Sequence, residues 1–132
     1  MRRSSLRRGA LAAAAAILGA SLAGAFAYAQ PAGDAAKGET AFNDQCSQCH
    51  TIGGMNQGPD LAGVVGRKAG TSADFPYTPA MKASGLTWTP ANLEKFLANS
   101  QAMVPGTAMS VSVASAAERA GIVAYLAKQK AH

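Results

Sequence analysis

The chain has 132 residues, which bounds it at one domain, and it carries a net charge of +5 from 12 basic and seven acidic side chains. Four of the basic residues lie within the first eight positions, so the remainder has a net charge of only +1 and does not indicate nucleic-acid or membrane binding. Two cysteines are also too few for a disulfide framework.

The first 29 residues have the layout of a secretory signal peptide. Four arginines stand at the start, and an uncharged run rich in alanine, leucine and glycine extends from Gly9 to Ala29. The tripeptide Ala27-Tyr28-Ala29 places small residues at the two positions that a signal peptidase recognises. We therefore expect residues 1–29 to be a cleaved leader and residues 30–132 to form the mature domain, exported to the periplasm.

Two other interpretations of the leader remain open. If it is not cleaved, the apolar run is just long enough to span a bilayer and would tether the protein to the membrane. Arg2-Arg3 also hints at a twin-arginine signal, an interpretation that we discount. We favour cleavage because the alanine content makes the run a weak membrane span, and we expect no stable membrane insertion of the mature protein.

The first predicted helix leads into the motif that carries most of the chemistry. Asp34 is a good N-cap residue and predicts a helix that ends at about Gln45. Cys46, Cys49 and His50 follow as a Cys-x-x-Cys-His pattern. Two thiols at this spacing lie on one face of a tight turn, and each can add to one vinyl group of the same porphyrin. The pattern predicts one covalently bound haem c with His50 as the proximal iron ligand.

Two alternative interpretations of this motif are weaker. A thioredoxin-like redox pair requires a strand-helix-strand pattern around the two cysteines, and none is visible in the sequence. A structural zinc site requires about four ligands. The chain offers two cysteines and two histidines, and one of these, His132, is the last residue. A haem attached in an oxidising compartment therefore fits the motif best.

The rest of the chain predicts two loops and two helices. A stretch rich in glycine and proline from Thr51 to about Ala80 predicts a loop that is unusually long for a compact domain unless a bound group orders it. Thr89 as N-cap and Pro90 at the first helical position predict a second helix. A second loop, from Ser100 to Ala114, precedes a last helix that opens with the capping box Ser115–Glu118. No alternating strand pattern is apparent, so the sequence predicts an all-α fold.

These features occur in an order that resembles class I cytochromes c, close to the mitochondrial and small soluble bacterial type. The resemblance covers the chain from Gly38 to Lys128. Its sequence segments are CSQCH at 46–50, GPDLAGVVGRKAG at 58–70, VPGTAM at 104–109 and ERAGIVAYL at 118–126. It implies a cytochrome c fold, with about three main helices and long loops wrapped around one haem. It also implies that the first and last helices cross, with Gly38 and Phe42 against Ile122 and Tyr125.

The resemblance implies that Met109 is the distal iron ligand. A thioether is a soft, neutral donor that suits haem iron, and a His/Met pair raises the reduction potential. Met103 lies in the same loop and Met81 lies earlier, so both are rivals for this role. Met55 is only five residues past His50, too near to cross the haem easily. Any of these methionines could instead fill a gap in the core.

Four further residues match positions around the haem in this family. Pro59 matches a proline whose carbonyl accepts a hydrogen bond from the second ring nitrogen of the proximal histidine. Arg67, Tyr77 and Trp88 match positions whose polar ends hydrogen-bond a haem propionate, since a buried carboxylate is costly unless it is paired. The structural alternatives are a turn at Pro59, a solvated charge at Arg67 and core packing at Trp88.

The sequence departs from the mitochondrial pattern in three places. Met81 stands where an asparagine often lies beside a buried water, and Phe96 replaces a tyrosine whose hydroxyl points at the methionine sulfur. Gln101 and Ala102 replace lysines on the rim of the haem crevice. The last change weakens the ring of positive charge that would steer an acidic partner, so we do not expect association through a strong lysine patch.

The function implied by the resemblance is that of a periplasmic one-electron carrier, not an enzyme. We expect a monomer that docks briefly on redox proteins, such as a quinol-oxidising complex and a terminal oxidase of a respiratory chain, or a periplasmic dehydrogenase. The alternative is a haem protein with a labile distal methionine that acts in peroxide or gas-ligand chemistry. Phe96 removes one support of Met109, but no distal His–Arg pair is evident. Fast, tight binding of carbon monoxide or cyanide by the native protein would favour this alternative.

Overall fold

The structure is a computed structural model that describes residues 32–131. Within this range the chain forms five helices: α1 Ala35–Gln45, α2 Pro79–Ala83, α3 Pro90–Ala98, α4 Ser100–Met103 and α5 Ala116–Lys128. The described residues form no β-strand, and one isolated bridge pairs Lys68 with Thr87. The predicted all-α fold is therefore confirmed. The leader predicted at residues 1–29 lies outside the described residues.

The three longer helices begin at the predicted N-caps. The Asp34 carboxylate accepts from two backbone N–H groups of α1 at 3.0 and 3.2 Å, and the Thr89 hydroxyl accepts from α3 at 3.1 Å. Ser115 accepts from the N–H of Glu118 at 3.3 Å. Each cap satisfies a donor that the first turn leaves unpaired. Only this half of the predicted capping box is present, because no described hydrogen bond joins the Glu118 carboxylate to Ser115.

Two short helices are not predicted by the sequence: α2 begins at the end of the first predicted loop, and α4 lies inside the second. The helix α2 begins after the Thr78 cap, whose hydroxyl accepts from Met81 N–H at 3.2 Å. The helix α4 begins after Asn99, whose side chain accepts from Ala102 N–H at 3.0 Å. These helices have five and four residues, too few to produce a recognisable apolar period. Both nevertheless place residues at the site described below.

The first and last long helices cross at a contact between two glycines. A Cβ at Gly38 would overlap the backbone carbonyl of Gly121 and would lie 2.7 Å from the backbone nitrogen of Ile122. One turn further along, the rings of Phe42 and Tyr125 are 5.3 Å apart. The lack of a side chain at Gly38 thus allows α1 and α5 to pack backbone to backbone. None of the helices in residues 32–131 is long and apolar enough to cross a membrane.

Candidate functional site

The helices and the long loops surround a cavity of about 380 Å³, a volume typical of cofactor pockets. Buried apolar residues of three helices form much of its wall: Phe42, Leu93, Leu97, Ile122 and Leu126. The same cavity is lined by Cys46, Cys49 and His50 of the motif and by Met109 of the loop before α5. The fold therefore brings the predicted attachment residues and the predicted ligands to one apolar cavity.

The motif forms a tight turn directly after α1. The N–H groups of Cys49 and His50 both donate to the carbonyl of Cys46, at 3.1 and 2.9 Å. Cys46 is buried and Cys49 is exposed, and neither forms a disulfide. Burial, together with the nearby Cys49, raises the pKa of the Cys46 thiol to about 11.

The imidazole of His50 is held in one orientation. Its Nδ1 lies 3.0 Å from the carbonyl oxygen of Pro59. A carbonyl only accepts, so Nδ1 carries the proton and Nε2 keeps a lone pair for a metal. Gly58 lies against the ring, and a Cβ there would be 2.6 Å from Nδ1 and 2.9 Å from Nε2. The backbone at 58–59 thus forms a close-fitting support for the imidazole.

This arrangement fits a covalently attached haem. Both thiols stand on one turn, the imidazole that follows them is oriented with a free nitrogen, and the adjoining cavity has mainly apolar walls. Residues 32–131 contain no cluster of three or more His, Cys, Asp or Glu side chains placed to hold an isolated metal ion. The two thiols, the oriented imidazole and the apolar walls are together the features of a porphyrin pocket.

The four candidate methionines have different surroundings. Met109 and Met81 both line the cavity. Met103 packs against the core but does not line the cavity, and Met55 is 53% exposed. The geometry therefore leaves Met109 and Met81 as the thioethers nearest to a bound group.

The three predicted propionate partners also line the cavity. Trp88 is buried, and Tyr77 is partly buried against the core. Arg67 is not a freely solvated charge, because its two terminal nitrogens donate to the carbonyls of Ala62 at 3.1 Å and Asp60 at 2.7 Å. The guanidinium thus holds the loop that follows His50 while remaining part of the cavity wall.

The Asp60 carboxylate organises the same loop. Its Oδ1 accepts from the N–H groups of Gly53 and Ala62, both at 2.8 Å. Desolvation acts to raise the pKa of this carboxyl, but the backbone hydrogen bonds and the positive charge of Arg67 outweigh it and hold the pKa below its ordinary value. The loop that follows His50 therefore contains an ionised carboxylate that stabilises its turn.

The loop that carries Met109 makes two polar contacts that the sequence does not predict. Ser100 and Gln101 of α4 both donate hydrogen bonds to the backbone carbonyl of Met109. Nothing in the local pattern marks Ser100, since it stands in a stretch predicted to be irregular. Gln101 is noticeable only as a replaced lysine.

The comparisons with known proteins identify the family. The model of the cytochrome c family matches residues 35–130, and the chain belongs to this family. It is 47% identical over 119 residues to a cytochrome c2 of Rhodomicrobium vannielii, a match that covers 86% of this chain and 93% of that protein. It is 48% identical over 96 residues to the cytochrome c-type cyt cy of Rhodobacter capsulatus. That match covers 71% of this chain but only 48% of the relative.

Solved structures lead to the same class. Cytochrome cH from Methylobacterium extorquens is 44% identical, with a TM-score of 0.69, and the match covers 72% of this chain and 98% of that one. The ferricytochrome c2 of Rhodopseudomonas palustris is 39% identical with a TM-score of 0.70, covering 74% and 99%. The protein is therefore a class I c-type cytochrome, an electron-transfer protein rather than an enzyme. Its single haem c is bound covalently, and Cys46 and Cys49 are the cysteines of the attachment motif.

Proposed function

We propose that this protein is an exported one-electron carrier whose haem iron is ligated by His50 and Met109. One observation carries the proposal: an imidazole whose Nδ1 is fixed by the Pro59 carbonyl lines the same cavity as the Met109 thioether. Bound there, the haem supplies one-electron chemistry between ferric and ferrous iron. The chain supplies the ligands, their orientation and the apolar surroundings.

The walls of the cavity suit a carrier because they are packed and apolar. Leu93, Phe96 and Leu97 are each 6% exposed, and Phe96 packs against Trp88 with ring centroids 4.9 Å apart. Such walls exclude water and hold the ligands in one geometry. If His50 and Met109 both ligate the iron, little would have to rearrange when the oxidation state changes, and no substrate would have to reach the iron.

The distal ligand can be assigned by replacing each candidate methionine with leucine, which has a similar volume. The oxidised protein is expected to show the weak far-red band of a sulfur–iron bond. Met109→Leu should abolish this band, whereas Met81→Leu and Met103→Leu should retain it. If the band survives in Met109→Leu and disappears in Met81→Leu, the assignment to Met109 is wrong.

Redox partners would approach at the mouth of the cavity, which we define by the lining residues that are exposed. These are Gln45, Cys49, Gln57, Pro76, Ala108, Ser110 and Val111. None of them carries a charge, so the mouth offers a neutral surface for brief docking. The partners we propose are a quinol-oxidising complex and a terminal oxidase, or a periplasmic dehydrogenase.

The location and the cleaved leader can be tested together. The arginines at the start, the uncharged run that follows and the small residues at the cleavage position support export to the periplasm. The mass of the protein recovered from the periplasmic fraction should equal the chain from about Gln30 plus one haem. A haem-loaded protein that keeps its leader and remains with the membrane would show a tethered carrier instead.

A further inference from the structure

The segment 104–115, which carries Met109, belongs to no helix. Two backbone hydrogen bonds hold it. The N–H of Thr107 donates to the carbonyl of Val104, the C-cap of α4, at 3.0 Å, and the N–H of Val113 donates to the carbonyl of Leu97 in α3 at 2.8 Å. No backbone–backbone hydrogen bond reaches residues 108–112 in the described part of the chain. Side chains must therefore fix the position of the backbone at Met109.

Two consecutive side chains of α4 do so. The Ser100 hydroxyl donates to the Met109 carbonyl at 2.8 Å and, over a longer distance of 3.4 Å, to the carbonyl of Val111. The Gln101 side-chain amide donates to the carbonyls of Thr107 at 2.8 Å and Met109 at 3.0 Å. The Met109 carbonyl thus accepts two hydrogen bonds. Ser100 is only 2% exposed, so its bond is shielded from competing water.

The helix α4, which carries both donors, is held in place by its connection to α3. The helix α4 follows α3 after a single residue, Asn99, whose side chain accepts from the N–H of Ala102 at 3.0 Å and caps the helix. The loop itself is also tied to α3, because the hydroxyl of Ser112 donates to the carbonyl of Ala98 at 2.6 Å. Because a single residue joins α4 to α3, the hydrogen bonds from α4 restrain the loop rather than move with it.

We propose that Ser100 and Gln101 are positioning residues that clamp the Met109 loop and thereby set how readily the Met109 thioether leaves the iron. The inference rests on the proposed function, in which Met109 is the distal ligand. The carbonyl and the side chain of Met109 share one Cα, so the thioether withdraws easily only when the two hydrogen bonds open. The loss of one such bond is expected to make this opening about fivefold more frequent.

The test uses the haem-loaded oxidised protein and imidazole, which competes with the thioether for ferric iron. The variants are Ser100→Ala, which removes the hydroxyl, and Gln101→Met, which keeps the length of an exposed side chain but removes its amide. Each variant should bind imidazole about fivefold faster than wild type. Each should also lose the far-red band at a lower imidazole concentration than wild type does. Unfolding by urea, measured in parallel, separates a general loss of stability from release of the ligand.

The structure offers matched controls. Ser84 donates to the carbonyl of Met81 at 2.8 Å, the distance found between Ser100 and Met109, and Gln129 donates to the carbonyl of Tyr125 at 3.2 Å. Ser84→Ala and Gln129→Met should bind imidazole at the wild-type rate. The clamp is overturned if the two test variants bind imidazole no faster than wild type, or if the controls bind it equally fast. If Ser100→Ala does not fold, the exposed Gln101→Met decides the result.

Different results would disprove the Met109 ligation and the positioning role of Ser100 and Gln101. A wild-type protein without the far-red band, or a Met109→Leu variant that retains it, would remove Met109 as the ligand. Loss of the band in Met109→Leu, combined with wild-type imidazole binding in Ser100→Ala and Gln101→Met, would leave the ligand assignment intact and reject the clamp alone.

Discussion

Gly58 and His50 occupy adjoining space, so that a Cβ at position 58 would lie 2.6 Å from Nδ1 of the imidazole. The N–H of Gly58 also donates to the carbonyl of Cys49 at 2.7 Å, which fixes the backbone against the ring. The next residue, Pro59, provides the carbonyl that orients Nδ1. A glycine followed by a proline therefore holds the imidazole from two sides.

Gly58→Ala should displace the imidazole of His50, because the new Cβ would lie closer to the ring atoms than van der Waals contact allows. We expect a loss of about 1–3 kcal/mol in stability, the usual cost of overpacking, together with weaker haem ligation. Urea unfolding of the haem-loaded variant and its optical spectrum measure the two effects. Gly54→Ala is the control, since its Cβ would meet only the Thr51 hydroxyl, at 3.3 Å. Equal stability of the two variants would show that Gly58 does not support the ring.

Features that depend on local chemistry were predictable from the sequence. Asp34, Thr89 and Ser115 begin helices because a short polar side chain satisfies backbone donors within its own turn. The attachment motif is equally local, because its spacing alone places both thiols on one turn. The ordered series of family segments correctly predicted the all-α class I cytochrome fold.

Distant contacts that the family resemblance does not imply were not predictable. Ser100 meets Met109 only because the loop folds back on α4, and a single serine gives no sign of this. The sequence also could not show which of the candidate methionines line the cavity. Met81, for example, lies on a helix of only five residues, which has no recognisable apolar period. The neutral mouth of the cavity was not predictable either, because its exposed lining residues come from segments that are far apart in the sequence.

Gly38→Ala tests the crossing of α1 and α5 through the sign of its effect. Helix propensity alone predicts that alanine stabilises α1 by about 1 kcal/mol. The structure predicts the opposite, a loss of about 1–3 kcal/mol, because the new Cβ would overlap the Gly121 carbonyl. Gly121→Ala should be milder, since its Cβ would lie 3.0 Å from the Asp34 carbonyl oxygen. Thermal or urea unfolding measures both, and a stabilised Gly38→Ala would contradict the close contact.

The neutral mouth predicts that electron transfer to an acidic redox partner depends little on salt. Raising the ionic strength from about 0.01 M to about 0.15 M shortens the Debye length from about 30 Å to about 8 Å. Stopped-flow measurement should show less than about a twofold change in the second-order rate constant of the wild-type protein over this range. A rate constant that falls steeply with salt would mean that charges outside the mouth steer the partner.

A lysine placed at the mouth should create the missing salt dependence. Gln45→Lys adds a positive charge to an exposed residue of the cavity lining, at the end of α1, where the helix dipole tolerates a cation. We expect its rate constant with an acidic partner to rise at low salt and to fall as salt is added. Ala117→Lys is the control, because this exposed residue of α5 does not line the cavity. The same salt response in both variants would argue against docking at the mouth.

The ionised carboxylate of Asp60 should contribute stability in a defined range of pH. A pKa held below the ordinary value of 3.8 stabilises the folded protein above that pH, and this contribution is lost as the pH falls through the lowered value. Asp60→Asn keeps an oxygen that can accept from Gly53 and Ala62 but removes the charge that faces Arg67. The variant should be less stable than wild type at pH 7, and the difference should shrink towards pH 2.

Urea unfolding at the two pH values measures this difference directly. Asp44→Asn provides the control, because Asp44 is an exposed residue of α1 that makes no hydrogen bond or ion pair among the described contacts of its side chain. Its stability should follow that of wild type at both pH values. A gap between wild type and Asp60→Asn that stays the same from pH 7 to pH 2 would mean that the amide, and not the lost charge, causes the effect. The loop that follows His50 would then be held by hydrogen-bond geometry alone, without a contribution from the Asp60–Arg67 attraction.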